Sequence, residues 1–369
     1  MAKTKILLLL HTLSLSGAPK IALDAIEQMP GQVEVRTLSL EGGPLAERCR
    51  ELGQLDLLHN PKHNLIQRRW QRTFGRRLLE TDLRRWKPDV IYANSIVSLE
   101  IVRTMRLPSV PSLLHVHELE TAFDYFSELC NAFLKTWPQH YIAVSNPVRE
   151  LLISRYQIEP RRISIVHEFV RNQDFDAQIE ASVEKDSRFT VGGAGTPNWR
   201  KGISLWLQTA DELRKLVGAD KFRFVWVGMK NDFDSMDFRN ETRLRGLENT
   251  IEFIPATEEP FRYFAKFDVF AMTSWEDPCP VVVLENMMLQ KPVLCFAGSG
   301  GAPEEVGNSG IVIDCFCPAT MARAIASLMI DLDQVKQRGA QARSRVEQRF
   351  TASHQVPKIL EIIQNLSGQ

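Results

Sequence analysis

The sequence has no long apolar run and no excess of charge of either sign. No stretch of its 369 residues is apolar for long enough to span a bilayer, so we do not expect a membrane-spanning helix. Its 45 Lys and Arg residues balance its 45 Asp and Glu residues. A neutral chain has no overall field that would attract nucleic acid, and any anion must be bound by a local cluster of cations.

The chain also lacks a cysteine framework and a complete signal peptide. Six cysteines are too few to form a disulfide scaffold at this length. Cys315 and Cys317 form a CxC pair that suits a metal, but no second pair follows at ligand spacing. We interpret all six as buried free thiols in a reducing compartment. The N-terminal "KTKILLLLHT" has an apolar run of only five residues and no nearby cleavage site. We therefore expect a cytoplasmic protein.

Short apolar segments alternate with helical patterns in both halves of the sequence. This alternation is typical of βαβ units and predicts an α/β fold with parallel sheets. Between the halves, residues 168–188 are polar and acidic, as in a linker or a peripheral segment, and the chain from about 318 onward is helical. The predicted strands are 5–10, 89–93, 112–117 and 141–145 in the first half, and 189–195, 222–228, 251–255, 268–272, 292–296 and 310–314 in the second.

The segment "GAGTPNWRKG" follows one predicted strand and opens a helix. Its glycines would let a ligand approach the backbone, and Arg200 and Lys201 lie where a helix dipole disfavours cations. A phosphate or pyrophosphate site explains them, although a solvated helix start would have the same sequence. Dinucleotide binding by a hydride-transfer enzyme is a further alternative. It has weak support, because Asn198 occupies the third glycine position of GxGxxG.

The segment "TSWEDPCPVVVLENMMLQKPVLCF" places a strand, a loop and an apolar helix in succession. Val281, Leu284 and Met288 are expected to form the buried face of this helix. Asp277 lies in the loop, where a simple helix cap is the alternative explanation. Glu285 lies just over one turn into the helix. A carboxylate in such apolar surroundings requires hydrogen-bond donors, and sugar hydroxyls would supply them.

At this point the sequence resembles the retaining glycosyltransferases of family 4. The signature of that family is an acid, here Asp277, followed by seven residues and then a Glu, here Glu285. Further segments match the family in the same order along nearly the whole chain. They are "HTLSLSGAPK", "HVHEL", "YIAVSNPVRELL", "GTPNWRKG" and "SGGAPEEVG". The resemblance implies the GT-B fold, an α/β architecture in which two Rossmann-like parallel-sheet domains face each other across a cleft.

The resemblance also assigns roles to individual residues. Lys201 and Arg200 would neutralise the diphosphate of a nucleotide-sugar donor, and Glu285 would hold the ribose hydroxyls. Asp277 and the backbone of 278–281 would face the donor sugar, with His117 close to the transferred sugar. The expected catalytic residues are His117, Asp277 and Lys201. The expected donor-binding residues are Ser16, Gly17, Thr196, Asn198, Arg200, Lys201, Pro278, Cys279, Pro280, Val281 and Glu285.

Three positions depart from the family pattern. Asp277 stands where many members have Glu, with Glu276 beside it, and Thr196 stands where an arginine is often found. The first loop has Ser16 and Gly17 where paired glycines are common. None of these departures removes the expected chemistry, but the first two leave the identity of the donor open. His115, two residues before His117, is interpreted as a core histidine.

We expect three parts of the chain. They are an N-terminal acceptor-side domain at 1–170, a nucleotide-sugar-binding domain at 171–345, and a helix at 346–369 that crosses back to the first domain. The expected activity is retaining, hexosyltransferase-type transfer to an acceptor hydroxyl, without a metal or a cofactor. The "DFD" of 232–234 is interpreted as a solvated turn. A non-catalytic nucleotide-sugar-binding protein and a nucleotide-sugar epimerase of the same fold are the alternatives.

The partners expected are a nucleotide sugar and a glycan, lipid-linked or protein acceptor, but no nucleic acid. The region 63–87 is strongly basic, with nine Lys and Arg against two acids from Lys62 to Lys87 and with interleaved aromatics. Three interpretations stay open: a helix lying on an anionic membrane, a rim that binds an anionic acceptor, or an ordinary solvated helix face.

Overall fold

The computed structural model describes residues 3–59, 75–171, 175–180, 187–230 and 233–368. It divides into two compact units. The first comprises Met1–Phe169 together with Ala352–Gln369, and the second comprises Val170–Thr351. Each unit contains a parallel sheet with helices on its faces, and each is described below by itself.

The first unit contains a sheet of seven parallel strands within the described residues. The strands are β1 (Thr4–Leu10), β2 (Val33–Glu41), β3 (Gly53–His59), β4 (Val90–Asn94), β5 (Ser112–Val116), β6 (His140–Ala143) and β7 (Ile163–Ile165). Their order is β3-β2-β1-β4-β5-β6-β7. β1 lies between β2 and β4 in the interior of the sheet, and its residues Ile6 to Leu10 are completely buried. Such continuous apolar runs are expected where helices cover both faces of a parallel sheet.

The helices of the first unit connect consecutive strands. They are α1 (Gly17–Glu27), α2 (Ala46–Leu52), α3 (Arg76–Trp86), α4 (Leu99–Thr104), α5 (Glu120–Tyr125), α6 (Ser127–Phe133) and α7 (Asn146–Ser154). The last helix of the chain, α16 (Ala352–Ser367), belongs to the same unit and packs against α1 and β4. It buries Val356, Ile359 and Ile363 at helical spacing.

The second unit contains a sheet of six parallel strands within the part of the chain that the structure describes. They are β8 (Phe189–Ala194), β9 (Phe222–Met229), β10 (Ile251–Pro255), β11 (Val269–Met272), β12 (Val293–Phe296) and β13 (Ile311–Ile313), in the order β10-β9-β8-β11-β12-β13. The helices are α8 (Phe175–Glu180), α9 (Ile203–Val217), α10 (Phe233–Leu244), α11 (Phe261–Phe264), α12 (Val281–Met288), α13 (Ala302–Val306), α14 (Pro318–Ile330) and α15 (Leu332–Arg349).

The prediction of two parallel-sheet α/β domains is confirmed, but three strands were missed. β2 reads "VEVRTLSLE", with polar residues between its apolar ones, and β3 is a half-buried edge strand. β7 has only three residues. Neither a mixed pattern nor a very short run produces the continuous apolar signal on which the other strands were predicted.

Several local expectations differ from the structure. The segment 168–188 contains the helix α8. On α12, Leu284 and Met288 are buried as expected, but Val281 is half-buried, and Val283 and Met287 are completely buried as well. The predicted turn at "DFD" is wrong for 233 and 234, where α10 begins, while residue 232 lies outside the described residues. In the basic region, residues 63–74 also lie outside them, and the remainder forms α3.

Candidate functional site

Two loops of the second unit emerge at the same edge of its sheet. A 3₁₀ turn at Trp199–Lys201 follows β8, and the loop 273–280 follows β11. β8 and β11 are parallel neighbours, paired at Val269 with Val191. Because parallel strands end at the same side of a sheet, the two loops lie next to each other. This edge, beyond the carboxyl ends of the strands, is where open α/β sheets bind ligands.

The centre of this site is a shielded ion pair between the two loops. The Lys201 Nζ lies 2.6 Å from Asp277 Oδ2, and the Arg200 Nη1 lies 3.3 Å from Asp277 Oδ1. The side chain of Asp277 is 8% exposed and that of Lys201 is 13% exposed. Burial alone would raise the pKa of Asp277. The positive charges of Lys201 and then Arg200 outweigh burial, so the pKa is lowered. Two cations therefore share one carboxylate, and a positive charge remains.

Backbone contacts hold the two loops together. The Trp275 N–H donates to the Arg200 carbonyl at 2.9 Å, and the Arg200 guanidinium donates to the Glu276 carbonyl at 2.8 Å. Asn198 accepts a 3.1 Å hydrogen bond from the Lys201 N–H through its Oδ1. Asn198, predicted to bind the donor, thus caps the 3₁₀ turn. These bonds fix the backbone positions from which the Arg200 and Lys201 side chains extend.

A glycine-rich turn fixes Asp277 from the other side. The Asp277 N–H donates to the Ser299 carbonyl at 2.7 Å, and the Gly301 N–H donates to the Asp277 carbonyl at 2.9 Å. A Cβ at position 301 would lie 2.2 Å from the Pro278 carbonyl oxygen, so only glycine fits there. The segment "SGGAPEEVG" therefore contributes the backbone that holds the acidic loop in place.

The glycines after β8 do not form an open cradle. A Cβ on Gly193 would lie 2.6 Å from both Trp206 and Trp226, and one on Gly195 would lie 3.0 Å from the Lys201 side chain. These glycines make room for side chains of the protein itself. Gly193 is inside β8 and not in the loop after it. The approach of a ligand to the backbone at Gly195 stays a prediction.

Helix α12 carries the second acid of the site. It begins after Pro280, and Glu285 is half-buried on its second turn. Cys279 donates from its thiol to Glu305 at 3.0 Å, so the Cys279 side chain is engaged within the protein. A role for Cys279 in ligand binding would therefore use its backbone. Thr196, another predicted donor-binding residue, is exposed.

A series of aromatic rings, missed in the sequence, lies beside the ion pair. Trp199 is 64% exposed and stacks on Trp275, with ring centroids 6.1 Å apart and an interplanar angle of 6°. The ring centroids of Trp275 and Phe316 are 4.8 Å apart, and those of Phe316 and the buried Phe296 are 5.2 Å apart. The rings connect the core of the second unit to the loop that carries Asp277. Their positions in sequence are far apart, so no spacing pattern announces them.

In the first unit, His117 lies at the end of β5 with both ring nitrogens bound by protein. Its Nδ1 lies 2.8 Å from Glu168 Oε1, and its Nε2 lies 2.8 Å from Asn94 Oδ1. Asn94 donates from its Nδ2 to the Ala18 carbonyl at 2.9 Å, which orients its Oδ1 toward the ring. Both partners of the ring are therefore acceptors. These two contacts fix the orientation of the His117 ring.

The neighbouring backbone is held in an unusual conformation. Ser95 has a φ of 97°, in a region that residues other than glycine seldom occupy. The Ser95 hydroxyl hydrogen-bonds to Glu118, which also accepts a 2.9 Å bond from the His117 N–H. Burial raises the pKa of Glu118, opposed in part by His117. These contacts place Asn94 where it meets the His117 ring.

Two more histidines lie next to His117. The His115 ring centroid is 4.0 Å from that of His117, and its Nδ1 lies 2.6 Å from the Tyr92 hydroxyl. Burial and then the charge of His117 lower the pKa of His115, and they lower the pKa of His11 in the same order. The Nδ1 of His11 has no hydrogen-bond partner among the described residues. His115 is a packed core histidine, as expected.

The first loop holds the remaining predicted residues. Ser16 and Gly17 are exposed, and the Ser16 hydroxyl lies 2.9 Å from that of Ser14. A Cβ on Gly17 would meet no atom within 4 Å. The protein itself therefore does not require glycine at this position.

Comparison with known proteins gives a family match for each half of the chain. Residues 188–331 match the family model described as glycosyl transferases group 1, and residues 15–173 match the model of glycosyltransferase family 4. A search of curated protein sequences gave no match.

Several solved structures are similar in fold over most or nearly all of the chain. A glycosyltransferase from Rickettsia africae is 16% identical, with a TM-score of 0.74 over 99% of both chains. HepE from Anabaena in complex with UDP-glucose is 19% identical, with a TM-score of 0.76 over 98% of this chain and 100% of that one. TarM from S. aureus, in complex with Fondaparinux, α-GlcNAc-glycerol and UDP, is 16% identical. Its TM-score is 0.63 over 81% and 59% of the two chains.

The protein is a glycosyltransferase of the GT-B fold. The ion-paired loops lie in the half that matches the group 1 model, and His117 lies in the half that matches the family 4 model. In the second unit, the structure brings Lys201, Arg200 and Asp277 into direct contact. His117 contacts Glu168 and Asn94 in the first. The individual roles of the predicted site residues stay predictions.

Two further findings concern this glycosyltransferase over its described residues. No group of three or more His, Cys, Asp or Glu residues there is arranged to hold a metal ion. None of the helices within those ranges combines the length and the apolar composition that crossing a bilayer requires.

Proposed function

We propose that this glycosyltransferase moves a sugar from a nucleotide-sugar donor to an acceptor hydroxyl, with retention of anomeric configuration and without a metal ion. The observation that carries the proposal is the buried Asp277 carboxylate, which holds Lys201 and Arg200 at the carboxyl edge of the second sheet. The donor complex of HepE, a protein of similar fold, supports a nucleotide sugar as the ligand.

The cation pair suits a diphosphate. Lys201 has three N–H donors, and Asp277 accepts from the ammonium at 2.6 Å. The remaining donors can bind phosphate oxygens while the carboxylate keeps the ammonium in place. Arg200, whose side chain is 35% exposed, adds a second positive charge. Because the two positive charges exceed the single negative charge of Asp277, the ion pair can attract an anion without a divalent metal ion.

The acids would then act in different ways. Both Asp277 oxygens face cations, so we assign Asp277 to the orientation of Lys201 beside the donor sugar. Glu285, half-buried on α12, would accept hydrogen bonds from the ribose hydroxyls. His117 and the exposed Gly17 would contribute from the first unit, close to the transferred sugar and the phosphates as the family resemblance implies.

The reaction breaks the bond between the anomeric carbon and the diphosphate. Negative charge grows on the leaving group while the sugar becomes positively charged. Fixed cations aimed at the leaving group stabilise this charge separation, and the loss of one such donor commonly costs about 2.7–4 kcal/mol in activation free energy. Lys201 and Arg200 are the residues that would supply this stabilisation in the second unit.

We propose a glycan or glycoconjugate as the acceptor, which agrees with the ligands of TarM. The free cysteines suit a reducing compartment such as the cytoplasm. Contact of the basic region 63–87 with a membrane surface or an anionic acceptor is part of this proposal, and its N-terminal portion lies outside the described residues.

The test combines a ligand screen with turnover. A nucleotide sugar that binds the native state raises the melting temperature, so a panel of UDP-, GDP- and ADP-sugars identifies the donor. Release of the nucleoside diphosphate and formation of a glycoside are then measured for the wild type, Lys201→Ala and Glu285→Ala. Lys215→Ala, an exposed change on α9, is the matched control.

We expect both site variants to lose turnover while the control keeps it. Binding of a donor without any turnover would favour a non-catalytic protein, and conversion of the donor sugar without an acceptor would favour an epimerase. Either of these results, or full activity of Lys201→Ala, would overturn the proposal.

A further inference from the structure

Two of the six cysteines differ from the rest in their surroundings. Cys49, Cys130, Cys279 and Cys295 are buried, whereas Cys315 is exposed and Cys317 is partly exposed. The expectation that all six are buried thiols is therefore wrong for this pair. Cys315 and Cys317 flank Phe316 in the short connection between β13 and α14. No part of the proposed glycosyl transfer uses them.

The backbone of this connection brings the two cysteines together. The Cys317 N–H donates to the Cys315 carbonyl at 2.8 Å, which closes a three-residue turn around Phe316. A turn this tight keeps the two Cα atoms within the range of about 4.4–6.8 Å that a disulfide spans. Closing the bond would therefore involve the short connection between β13 and α14 itself.

The two thiols are chemically unequal. Cys317 is the N-cap residue of α14, and the Thr320 hydroxyl, followed by the Thr320 N–H, lowers its pKa. Partial desolvation of its sulfur by neighbouring atoms and then the adjacent Cys317 raise the pKa of Cys315, although the residue as a whole is exposed. Cys317 is thus the thiol that reaches the thiolate form first, and Cys315 stays protonated beside it. An attacking thiolate with a neighbouring resolving thiol is the arrangement that thiol–disulfide exchange requires.

We propose that Cys315 and Cys317 form a redox-active dithiol that closes reversibly to a disulfide by exchange with small disulfides such as glutathione disulfide. The Cys317 thiolate attacks one sulfur of the small disulfide, forms a mixed disulfide and releases one thiol. Cys315 then loses its proton and attacks the Cys317 sulfur, which releases the second thiol. The protein gives up two electrons and two protons, and the small disulfide takes up both.

Closure of the disulfide is expected to affect the aromatic rings beside the ion pair, because Phe316 belongs to both features. Phe316 lies between the two cysteines, and its ring contacts Trp275 at 4.8 Å and Phe296 at 5.2 Å. A Cβ on Gly298 would lie 2.9 Å from the same ring, so the ring sits in a tight space. A disulfide changes the backbone on both sides of Phe316. We therefore expect the environment of Trp275, two residues before Asp277, to change on oxidation.

The experiment uses the full chain with glutathione disulfide as the probe. Denatured wild-type protein contains six titratable thiols when reduced. After native oxidation we expect a loss of two, with a disulfide mapped by mass spectrometry to the peptide that contains 315–317. The Cys315→Ser variant should stop at a stable glutathione adduct on Cys317. The Cys317→Ser variant should react several-fold more slowly, because Cys315 has the higher pKa.

Cys130→Ser is the control, since Cys130 is buried and should not alter the reaction. The tryptophan emission of the wild type should shift on oxidation and return when a reductant is added, and neither single variant of the pair should show this shift. Six thiols after oxidation, or equal adduct formation by both single variants, would overturn the proposal. These readouts do not depend on glycosyl transfer, so they stand or fall separately from the proposed function.

Discussion

The ion pair between Lys201 and Asp277 should stabilise the second unit measurably. Its side chains are 13% and 8% exposed, and removing one partner from a buried pair typically costs about 3–5 kcal/mol because the other charge stays in a poorly solvated place. Arg200 remains 3.3 Å from Asp277 when Lys201 is replaced. We therefore expect Lys201→Met to reduce the free energy of unfolding by about 3 kcal/mol, at the lower end of that range.

A double-mutant cycle isolates the interaction. Asp277→Asn should cost a similar amount, and the double variant should lose less than the sum of the two, with a coupling energy of about 1–3 kcal/mol. Urea unfolding followed by tryptophan emission and circular dichroism provides the free energies. Four of the seven tryptophans, Trp199, Trp206, Trp226 and Trp275, belong to the second unit and report on it.

The matched control is an exposed pair in the same unit. Lys215 is 55% exposed, and its Nζ lies 2.8 Å from Glu212. An exposed pair contributes at most about 1 kcal/mol, so Lys215→Met should have a small effect. If Lys201→Met lowers the free energy of unfolding no more than Lys215→Met does, or if the cycle shows no coupling, then the ion pair between Lys201 and Asp277 does not stabilise the second unit.

Three further predictions follow from the same contacts. The pKa of Asp277 is lowered, so its carboxylate contributes fully to the free energy of unfolding above the unfolded pKa of about 3.9, and this contribution is lost as the pH falls through the folded pKa. Urea titrations at several pH values should therefore show the difference in unfolding free energy between the wild type and Asp277→Asn becoming smaller below about pH 4. Gly301→Ala should lower both stability and turnover, since its Cβ would overlap the Pro278 carbonyl, and an unchanged urea midpoint would contradict this. Glu168→Ala should lower the free energy of unfolding by about 1–3 kcal/mol, because it removes the partner of the buried His117 Nδ1 at 2.8 Å, and an unchanged urea midpoint would contradict this.

The sequence predicts the sheets because their strands are buried runs. β1, β11 and β12 contain continuous apolar runs, most of the other predicted strands are largely apolar, and a parallel sheet covered on both faces requires such segments. β2 and β3 escape the same argument because their side chains alternate or are half exposed. β2 pairs with β1 and β3 pairs with β2, and a local sequence pattern does not contain these pairings.

The sequence draws attention to two residues of the central ion pair but not to the contact between them. Lys201 and Asp277 are both conspicuous in the sequence, yet they are 76 positions apart, and only the pairing of β8 with β11 brings them together. Glu168 was hidden in a segment interpreted as a linker. Asn94 directly follows the predicted strand 89–93 and is the polar last residue of β4, which is the signal that marks it in advance.

The most direct test of the account is the affinity for the donor, measured by isothermal titration calorimetry with the nucleotide sugar that the thermal screen selects. The wild type, Lys201→Ala, Glu285→Ala and Lys215→Ala are compared at a temperature where circular dichroism shows all four to be folded. Losing a charged contact to a bound ligand costs about 2–5 kcal/mol. Each of the two site variants should therefore bind at least about thirtyfold more weakly, with Lys215→Ala unchanged. Wild-type affinity in either Lys201→Ala or Glu285→Ala would contradict the claim that these residues bind the donor.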